Sequence, residues 1–301
     1  MQLSRYSLCI ILLVLSLSGC KKNNEPVSSF LLFPAGRSFF GTGEIKVSIN
    51  DITYKPDIIY DSCGGYWLKI LKVDLPKSGK ISIQYTRKKG ELFLFKGIVE
   101  DKQQWITESY YIDCNNDVLK TKANELIKDY QNNIDKAKQI QQFVISHLKL
   151  QVYHDSFLDK ASHTYELGYG TCMNFSRLFV ALCRAANIPA RTIWGIVLDH
   201  NGGNIYDYHH QWAEVLDDSG YWHPADFTYS INFDLNDIRY LDLIYAAEEN
   251  TIIKNRLPEE IILENVEYFN NYPATLTGRL GFELVEDKRP DYMTIKYVYE
   301  F

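Results

Sequence analysis

The 301-residue chain lacks the patterns by which several classes of protein are recognised. Its six cysteines include no C-x-x-C pair, and no histidine pair near them has the spacing of metal ligands, so the sequence predicts no metal site and no cofactor. There is no long basic run and no Lys/Arg stripe interleaved with aromatic residues, which argues against nucleic acid as a partner. The formal net charge of −6 is mild and does not identify a substrate.

The longest N-terminal apolar run, from Leu8 to Leu17, follows a single positive charge at Arg5. The run is shorter than the roughly 20 residues of a membrane-spanning helix, and small residues follow it, as in a secretory signal. The ending "LSGC" resembles the lipobox of bacterial lipoproteins, which implies removal of residues 1–19 and a lipid on Cys20. An ordinary signal peptide and a membrane anchor are the alternatives. The expected location is the bacterial cell envelope, at the periplasmic face or the cell surface.

The chain is rich in apolar residues, at 46%, and in aromatic residues, at 14%, with 22 tyrosines. This composition predicts well-formed cores with substantial β structure. Short alternating runs between Gly, Pro and Asp before residue 115 are typical of a small β-sandwich. The sequence predicts five segments: a signal peptide over 1–19, a tether over 20–29, an N-terminal β domain over 30–115, an α+β core over 116–250 and a C-terminal β extension over 251–301.

Helical spacing of apolar residues begins after Asn116. Two amphipathic helices are predicted over 117–130 and 132–150, the second capped by Asn132 or Asn133. Three strand-like segments, "RTIWGIVL", "HHQWAEVLD" and "GYWHPADFT", follow further on, and the segment after residue 235 is expected to be helical. The alternating C-terminal tail predicts a hairpin that fits either the N-terminal sheet or the sheet of the core.

A third, buried helix is predicted to begin at or near Cys172. Gly168 and Gly170 allow a tight turn into it, and it ends at Asn187, which tolerates a left-handed backbone. Unpaired N–H groups and the helix dipole favour a thiolate at a helix N-terminus. The cysteine is therefore a candidate nucleophile.

A thiolate nucleophile works best beside an imidazole that is oriented by a third group. "HHQWAEV" supplies the imidazole and "WHPADFT" supplies Asp226, in two strands expected to form a hairpin. A three-residue loop over 217–219 would place His210 directly opposite Asp226, with their Cβ atoms about 5 Å apart. His209 would point to the other face of the strand.

Together, "GYGTCMNFSRLFVALCRAANIPARTIWG", "HHQWAEV" and "YWHPADFT" resemble the transglutaminase-like superfamily over about residues 117–230. The resemblance implies an α+β fold with a papain-like core, in which a helix-borne cysteine packs on an antiparallel sheet. A small β-sandwich-like domain precedes this core in the chain. It implies a triad of Cys172 as nucleophile, His210 as base and Asp226 as the group that orients the base.

Several further residues are candidates for supporting roles. Trp212 shares a face with His210 and is a candidate for substrate binding, although packing beside the site is the simpler role. Glu214 is expected to pair with Arg191. Cys63 and Cys114 could form a disulfide if the protein is exported to an oxidising location. The second donor to an oxyanion is left open among Tyr153, His154 and Tyr165.

The resemblance implies an exported, lipid-anchored thiol enzyme that acts on a peptide or protein. Hydrolysis of an amide bond through a Cys172 acyl-enzyme is the favoured reaction. Transfer of a glutamine acyl group to an amine uses the same triad and is the first alternative. A non-catalytic lipoprotein that binds peptide or glycan is the second.

Overall fold

The structure, a computed structural model, describes twelve stretches of the chain. They are residues 13–15, 30–35, 43–60, 65–71, 74–88, 95–96, 99–151, 160–197, 209–227, 240–245, 280–285 and 292–300. Contacts divide the chain into two units. The first comprises Met1–Lys89, Val197–His209 and Ile252–Phe301, and the second comprises Gly90–Ile196 and His210–Thr251. The five segment bounds given above stay predictions.

Strands and helices are numbered in chain order within the described residues. The strands are β1 Leu13–Leu15, β2 Phe30–Ala35, β3 Glu44–Ile49, β4 Ile52–Tyr54, β5 Asp57–Tyr60, β6 Tyr66–Leu71, β7 Lys80–Lys88, β8 Phe95–Lys96, β9 Lys149–Leu150, β10 Tyr169–Gly170, β11 Ala190–Val197, β12 His209–Leu216, β13 Tyr221–Ala225, β14 Tyr240–Tyr245, β15 Leu280–Val285 and β16 Tyr292–Glu300. The helices are α1 Asp117–Ile127, α2 Asn133–His147, α3 Ala161–Leu167 and α4 Cys172–Ala185, with a 3-10 helix over Val99–Ile106.

The first unit contains two antiparallel sheets, ordered β1-β2-β6-β5 and β15-β16-β7-β3-β4. The C-terminal hairpin joins the second of these sheets, because β16 pairs with β7 from Tyr292 opposite Lys88 to Glu300 opposite Lys80. This pairing places the tail with the N-terminal strands, which the sequence left open. Strand β1 lies within the predicted signal peptide and pairs only at the outer edge, on β2.

The second unit contains one five-stranded sheet, ordered β14-β11-β12-β13-β8, together with all four α-helices. Strand β8 pairs with β13, and Trp105 of the 3-10 helix packs edge-on against Trp222 with ring centroids 5.7 Å apart. The second unit therefore begins at Gly90, upstream of the change near residue 115 that hydrophobic periodicity marks. Antiparallel sheets and helices, with an N-terminal sheet region before the core, make up the predicted α+β fold.

Helix α4 is the centre of the second unit's core. All its residues from Asn174 to Arg184 are buried, as expected for a helix that is apolar on most faces. Leu178, Phe179 and Leu182 are fully buried, and each contributes roughly 1.5–3 kcal/mol of hydrophobic stabilisation. Cys172, the first residue of this helix, is thus held by a rigid element.

Three local predictions can be compared directly with the structure. Asn132 caps α2 by accepting a hydrogen bond from the Asp135 backbone at 2.8 Å, and Asn187 has a left-handed backbone with φ of 57°, as predicted. The helix expected after residue 235 is wrong over Tyr240–Tyr245, which form the edge strand β14. Pairing with β11 outweighs the helical spacing there, since this short apolar run suits either structure.

Candidate active site

The turn before α4 brings the chain very close to the first turn of that helix. Gly168 ends α3 with a left-handed backbone, at φ of 71°. A Cβ on Gly170 would lie 2.4 Å from the Cβ of Asn174, a distance that no side chain tolerates. Glycine is therefore required at position 170, and the turn delivers Cys172 as the first residue of α4.

Asn174 holds this turn in place. Its side-chain oxygen accepts hydrogen bonds from the Thr171 backbone N–H at 2.9 Å and from the Thr171 hydroxyl at 3.0 Å. Its amide group donates to the Thr164 hydroxyl at 3.1 Å, and the whole side chain is buried. Asn174 is not among the residues predicted from the sequence, although Thr171 and Asn174 have the three-residue spacing of a capping box.

His210 and Asp226 form a buried pair. The Nε2 atom of His210 lies 2.6 Å from Oδ2 of Asp226, and their side chains are 5% and 0% exposed. A charge-assisted bond of this length fixes the orientation of the imidazole ring. Because Nε2 is engaged by the carboxylate, Nδ1 is the ring nitrogen left for Cys172.

The strand register differs from the predicted one. Ala213 pairs with Ala225 and Leu216 with Trp222, so the loop is residues 218–220 and not 217–219. Gly220, with φ of 88°, supplies the left-handed residue of this loop. Direct opposition of His210 and Asp226 is therefore wrong. In the observed register, the residue opposite any given position differs by two from the predicted one, so His210 and Asp226 stay on the same face of the sheet. The imidazole therefore reaches the carboxylate diagonally.

The thiol of Cys172 is hydrogen-bonded to His210, and it also accepts a bond from the Gln211 backbone N–H. Burial raises the pKa of this thiol, but the His210 bond, the positive charge of that ring and the Gln211 N–H outweigh burial and hold the pKa below its ordinary value. Burial likewise lowers the pKa of His210, but its bonds to Asp226 and Cys172 raise it to about 10. Both shifts favour a thiolate–imidazolium pair over the neutral pair.

A serine on α4 ties the helix to strand β12. The Ser176 hydroxyl lies 2.8 Å from the Cys172 carbonyl oxygen and 2.9 Å from the Gln211 carbonyl oxygen, and its one proton is shared between these two acceptors. The first contact is within the helix, and the second crosses to the strand that carries His210. This tie sets the spacing between Cys172 and His210, and no sequence pattern points to it.

Trp212 packs beside the pair. Its ring lies 6.1 Å from that of His210 in a stacked arrangement and is only 2% exposed. A ring buried this deeply fits packing, and its role in substrate binding stays a prediction.

The predicted pairing of Glu214 with Arg191 is confirmed. Arg191 donates to Glu214 Oε2 from Nε at 3.0 Å and from Nη2 at 2.7 Å. The guanidinium group also lies over Trp222, 4.0 Å from the ring centroid, and over Trp105 at 5.2 Å. Paired and stacked in this way, the two buried charges have the partners that burial of an ion pair requires.

The remaining candidates fall in different places. Tyr165 stacks on His147, with ring centroids 4.8 Å apart, while Tyr153 and His154 lie outside the described residues. The second oxyanion donor therefore stays a prediction. Cys114 is a free, buried thiol, which is at odds with a disulfide to Cys63, a residue also outside the described stretches.

Two further histidines in the second unit have polar partners. His223 Nε2 lies 2.8 Å from Asp217 Oδ2, and His147 Nε2 lies 2.7 Å from the Tyr165 carbonyl oxygen. Both contacts are structural. Within the described part of the chain, no three His, Cys, Asp or Glu side chains are grouped so that they could hold a metal ion.

The fold and this site define a class: an α+β core in which a helix-borne thiol meets a histidine and a carboxylate from a sheet. Residues 120–227 match the family model described as the transglutaminase-like superfamily, and these residues include Cys172, His210 and Asp226. The segment is a transglutaminase-like core, and the resemblance predicted from the sequence is confirmed.

Individual relatives are more distant. YebA of Bacillus subtilis strain 168, named as an uncharacterized protein, is 27% identical over 140 residues, which are 37% of this chain and 19% of YebA. The chain thus spans about a fifth of that relative. Among solved structures, one from Cytophaga hutchinsonii, named as a "Putative Cysteine Protease", has a TM-score of 0.46 at 17% identity and covers 72% of this chain and 75% of its own. The periplasmic domain of TgpA from Pseudomonas aeruginosa has a TM-score of 0.35 at 11% identity, covering 74% and 98%.

Proposed function

We propose that the protein is a thiol enzyme that hydrolyses an amide bond in a peptide or protein through an acyl-enzyme on Cys172. One observation carries the proposal: the thiol begins a buried helix and is hydrogen-bonded to His210, which Asp226 holds at 2.6 Å. The nucleophile is hydrogen-bonded to the base, and the base is hydrogen-bonded to the orienting carboxylate. Acyl transfer through a thiol requires this arrangement.

The reaction follows from the protonation states of the pair. The Cys172 thiolate attacks the carbonyl carbon, and a C–S bond forms as the carbonyl oxygen becomes an oxyanion. The oxyanion collapses, the C–N bond breaks, and protonated His210 gives its proton to the leaving nitrogen. Neutral His210 then takes a proton from water, the resulting hydroxide attacks the thioester, and breakage of the C–S bond releases the acid and restores the thiolate.

The proposed location is the bacterial cell envelope, with a lipid on Cys20 as the link to the membrane. The signal-like N-terminus and the "LSGC" ending support this. No helix among the described residues is long and apolar enough to cross a membrane. Among the described residues, removal of residues 1–19 takes away the edge strand β1, and β2 keeps its pairing with β6.

A peptide library, incubated with the protein in the presence and absence of a primary amine, tests the reaction. Hydrolysis predicts carboxylic acid products under both conditions and a thioester adduct on Cys172, trapped at acid pH and located by mass spectrometry. Cys172→Ala should abolish both. Products that require the amine and carry it as a new amide would overturn hydrolysis and establish acyl transfer. A chain with a reactive Cys172 thiolate but neither product nor adduct would support the non-catalytic binding role.

A further inference from the structure

Asp226 lies just beyond the last residue pair that joins strands β12 and β13. The ladder between β12 and β13 ends at the Ala213–Ala225 pair, and Asp226 is the next residue. A residue past the end of a ladder is not fixed by strand pairing. Its carboxylate nevertheless has to stay within hydrogen-bond distance of His210, so another contact must restrain its backbone.

Gln141 of helix α2 makes such a contact. Its side-chain Nε2 donates to the Asp226 backbone carbonyl oxygen at 3.0 Å, across 85 positions of sequence. Gln141 is only 2% exposed, and its helical neighbours Ala137 and Val144 are fully buried. A polar side chain buried on the apolar face of a helix is costly unless it is bonded, which makes this contact specific.

The residue after Asp226 is restrained as well. Phe227 packs on Phe179 of α4, with ring centroids 4.9 Å apart. The backbone at Asp226 is thus held from α2 through a hydrogen bond and from α4 through an aromatic contact. The hydrogen bond acts on Asp226 itself, and the aromatic contact acts on the residue after it.

We propose that Gln141 is a positioning residue, which holds the Asp226 backbone so that the carboxylate meets Nε2 of His210. This inference rests on the proposed function, because it acts through the same triad. Without the Gln141 bond, the carboxylate has freedom to move away from the ring. A displacement of about 1 Å can cost up to 100-fold in rate at a site of this kind.

The helix offers a matched control. Gln142 is exposed and adjacent, so Gln142→Met makes the same chemical change without touching Asp226. Gln141→Met keeps the length of the side chain but removes the donor. The assay is the rate of alkylation of Cys172 by iodoacetamide against pH, read by peptide mapping, in the full chain, in these two variants, in Asp226→Ala and in the Gln141→Met/Asp226→Ala double variant.

The expected results are specific to positioning. Gln141→Met should slow alkylation near pH 6.5 on the order of tenfold and move its midpoint to higher pH, as Asp226→Ala does. The double variant should match Asp226→Ala alone, because the amide acts only through the carboxylate. Gln142→Met should match the unmodified chain.

Two results would overturn parts of this reasoning separately. If Gln141→Met keeps the unmodified profile while Asp226→Ala shifts it, Gln141 has a merely structural role and the triad stands. If Asp226→Ala itself leaves the profile unchanged, the proposed function fails. Should Gln141→Met not fold, Gln141→Asn, whose amide is too short to reach the carbonyl, decides by the same criteria.

Discussion

At the scale of single residues, His210 is where the two hydrogen bonds of the site converge. Asp226 and Cys172 both favour its charged form, and together they raise its pKa to about 10 against the effect of burial. The imidazolium is therefore present up to that pH, and the thiolate forms as pH rises through the lowered pKa of Cys172. The reactive ion pair occupies the window between these two titrations.

The carboxylate's share in this window can be measured. In Asp226→Asn we expect the pKa of His210 to fall from about 10, because the negative charge that stabilises the imidazolium is gone. NMR titration of the ring protons follows this directly. Asp217→Asn is the control, since it breaks the other His–Asp contact, to His223 at 2.8 Å. An unchanged His210 titration in Asp226→Asn would show that the pair is not an ionic one.

At the scale of elements, the site depends on the distance between helix α4 and strand β12. The Ser176 hydroxyl bridges them through the carbonyl oxygens of Cys172 and Gln211. Ser176→Ala is expected to cost about 0.5–1.5 kcal/mol of unfolding free energy and to move the alkylation midpoint of Cys172 to higher pH, because the thiol and the ring drift apart. Urea unfolding and the alkylation profile measure the two effects.

Ser146→Ala is the matched control for this substitution. Its hydroxyl also bonds a carbonyl within its own helix, that of Phe143 at 2.9 Å, but it is exposed and reaches no strand. A shift of the alkylation profile of equal size in both variants would contradict the role given to Ser176.

The elements also show what the sequence can and cannot specify. The order of Cys172, His210 and Asp226 is predictable because each lies in a local motif whose shape is set by its neighbours. The hairpin loop was placed one position too early, because Gly220 and not Ser219 closes it, and the strand register was therefore wrong by two positions. Gln141 and Ser176 could not be found, since their partners are backbone carbonyls 85 and 35 positions away.

At the scale of the whole molecule, the C-terminal hairpin joins strands β7, β3 and β4 from the N-terminal part of the chain in one sheet of the first unit. The alternation of the C-terminal tail predicts a hairpin but not its partner, because a strand's pattern does not name the strand beside it. In the structure β16 pairs with β7 over nine residues, and the hydroxyls of Thr86 and Thr294 lie 2.7 Å apart in a buried position. The last residues of the chain therefore complete an N-terminal sheet.

This pairing gives a prediction about truncation. Deleting residues 280–301 removes β15 and β16 and leaves β7 with an unpaired edge of N–H and C=O groups. We expect the truncated chain to lose thermal stability and to aggregate, as measured by its melting temperature and by size-exclusion chromatography. Deletion of residues 1–19 is the control, since of the described strands it removes β1, which lies at the edge of the other sheet. A truncated chain that does not aggregate and has an unchanged melting temperature would contradict the pairing.

The most direct measurement is the pH dependence of Cys172 alkylation, read at that residue by peptide mapping. We predict a midpoint below the ordinary thiol pKa of about 8.5, no labelling at position 172 in Cys172→Ala, and a marked upward shift in His210→Ala. His209→Ala, which alters the preceding residue of the same strand, should leave the profile unchanged. Labelling only near the ordinary thiol pKa, with no response to His210→Ala, would contradict the assignment of Cys172 and His210 as a reactive pair.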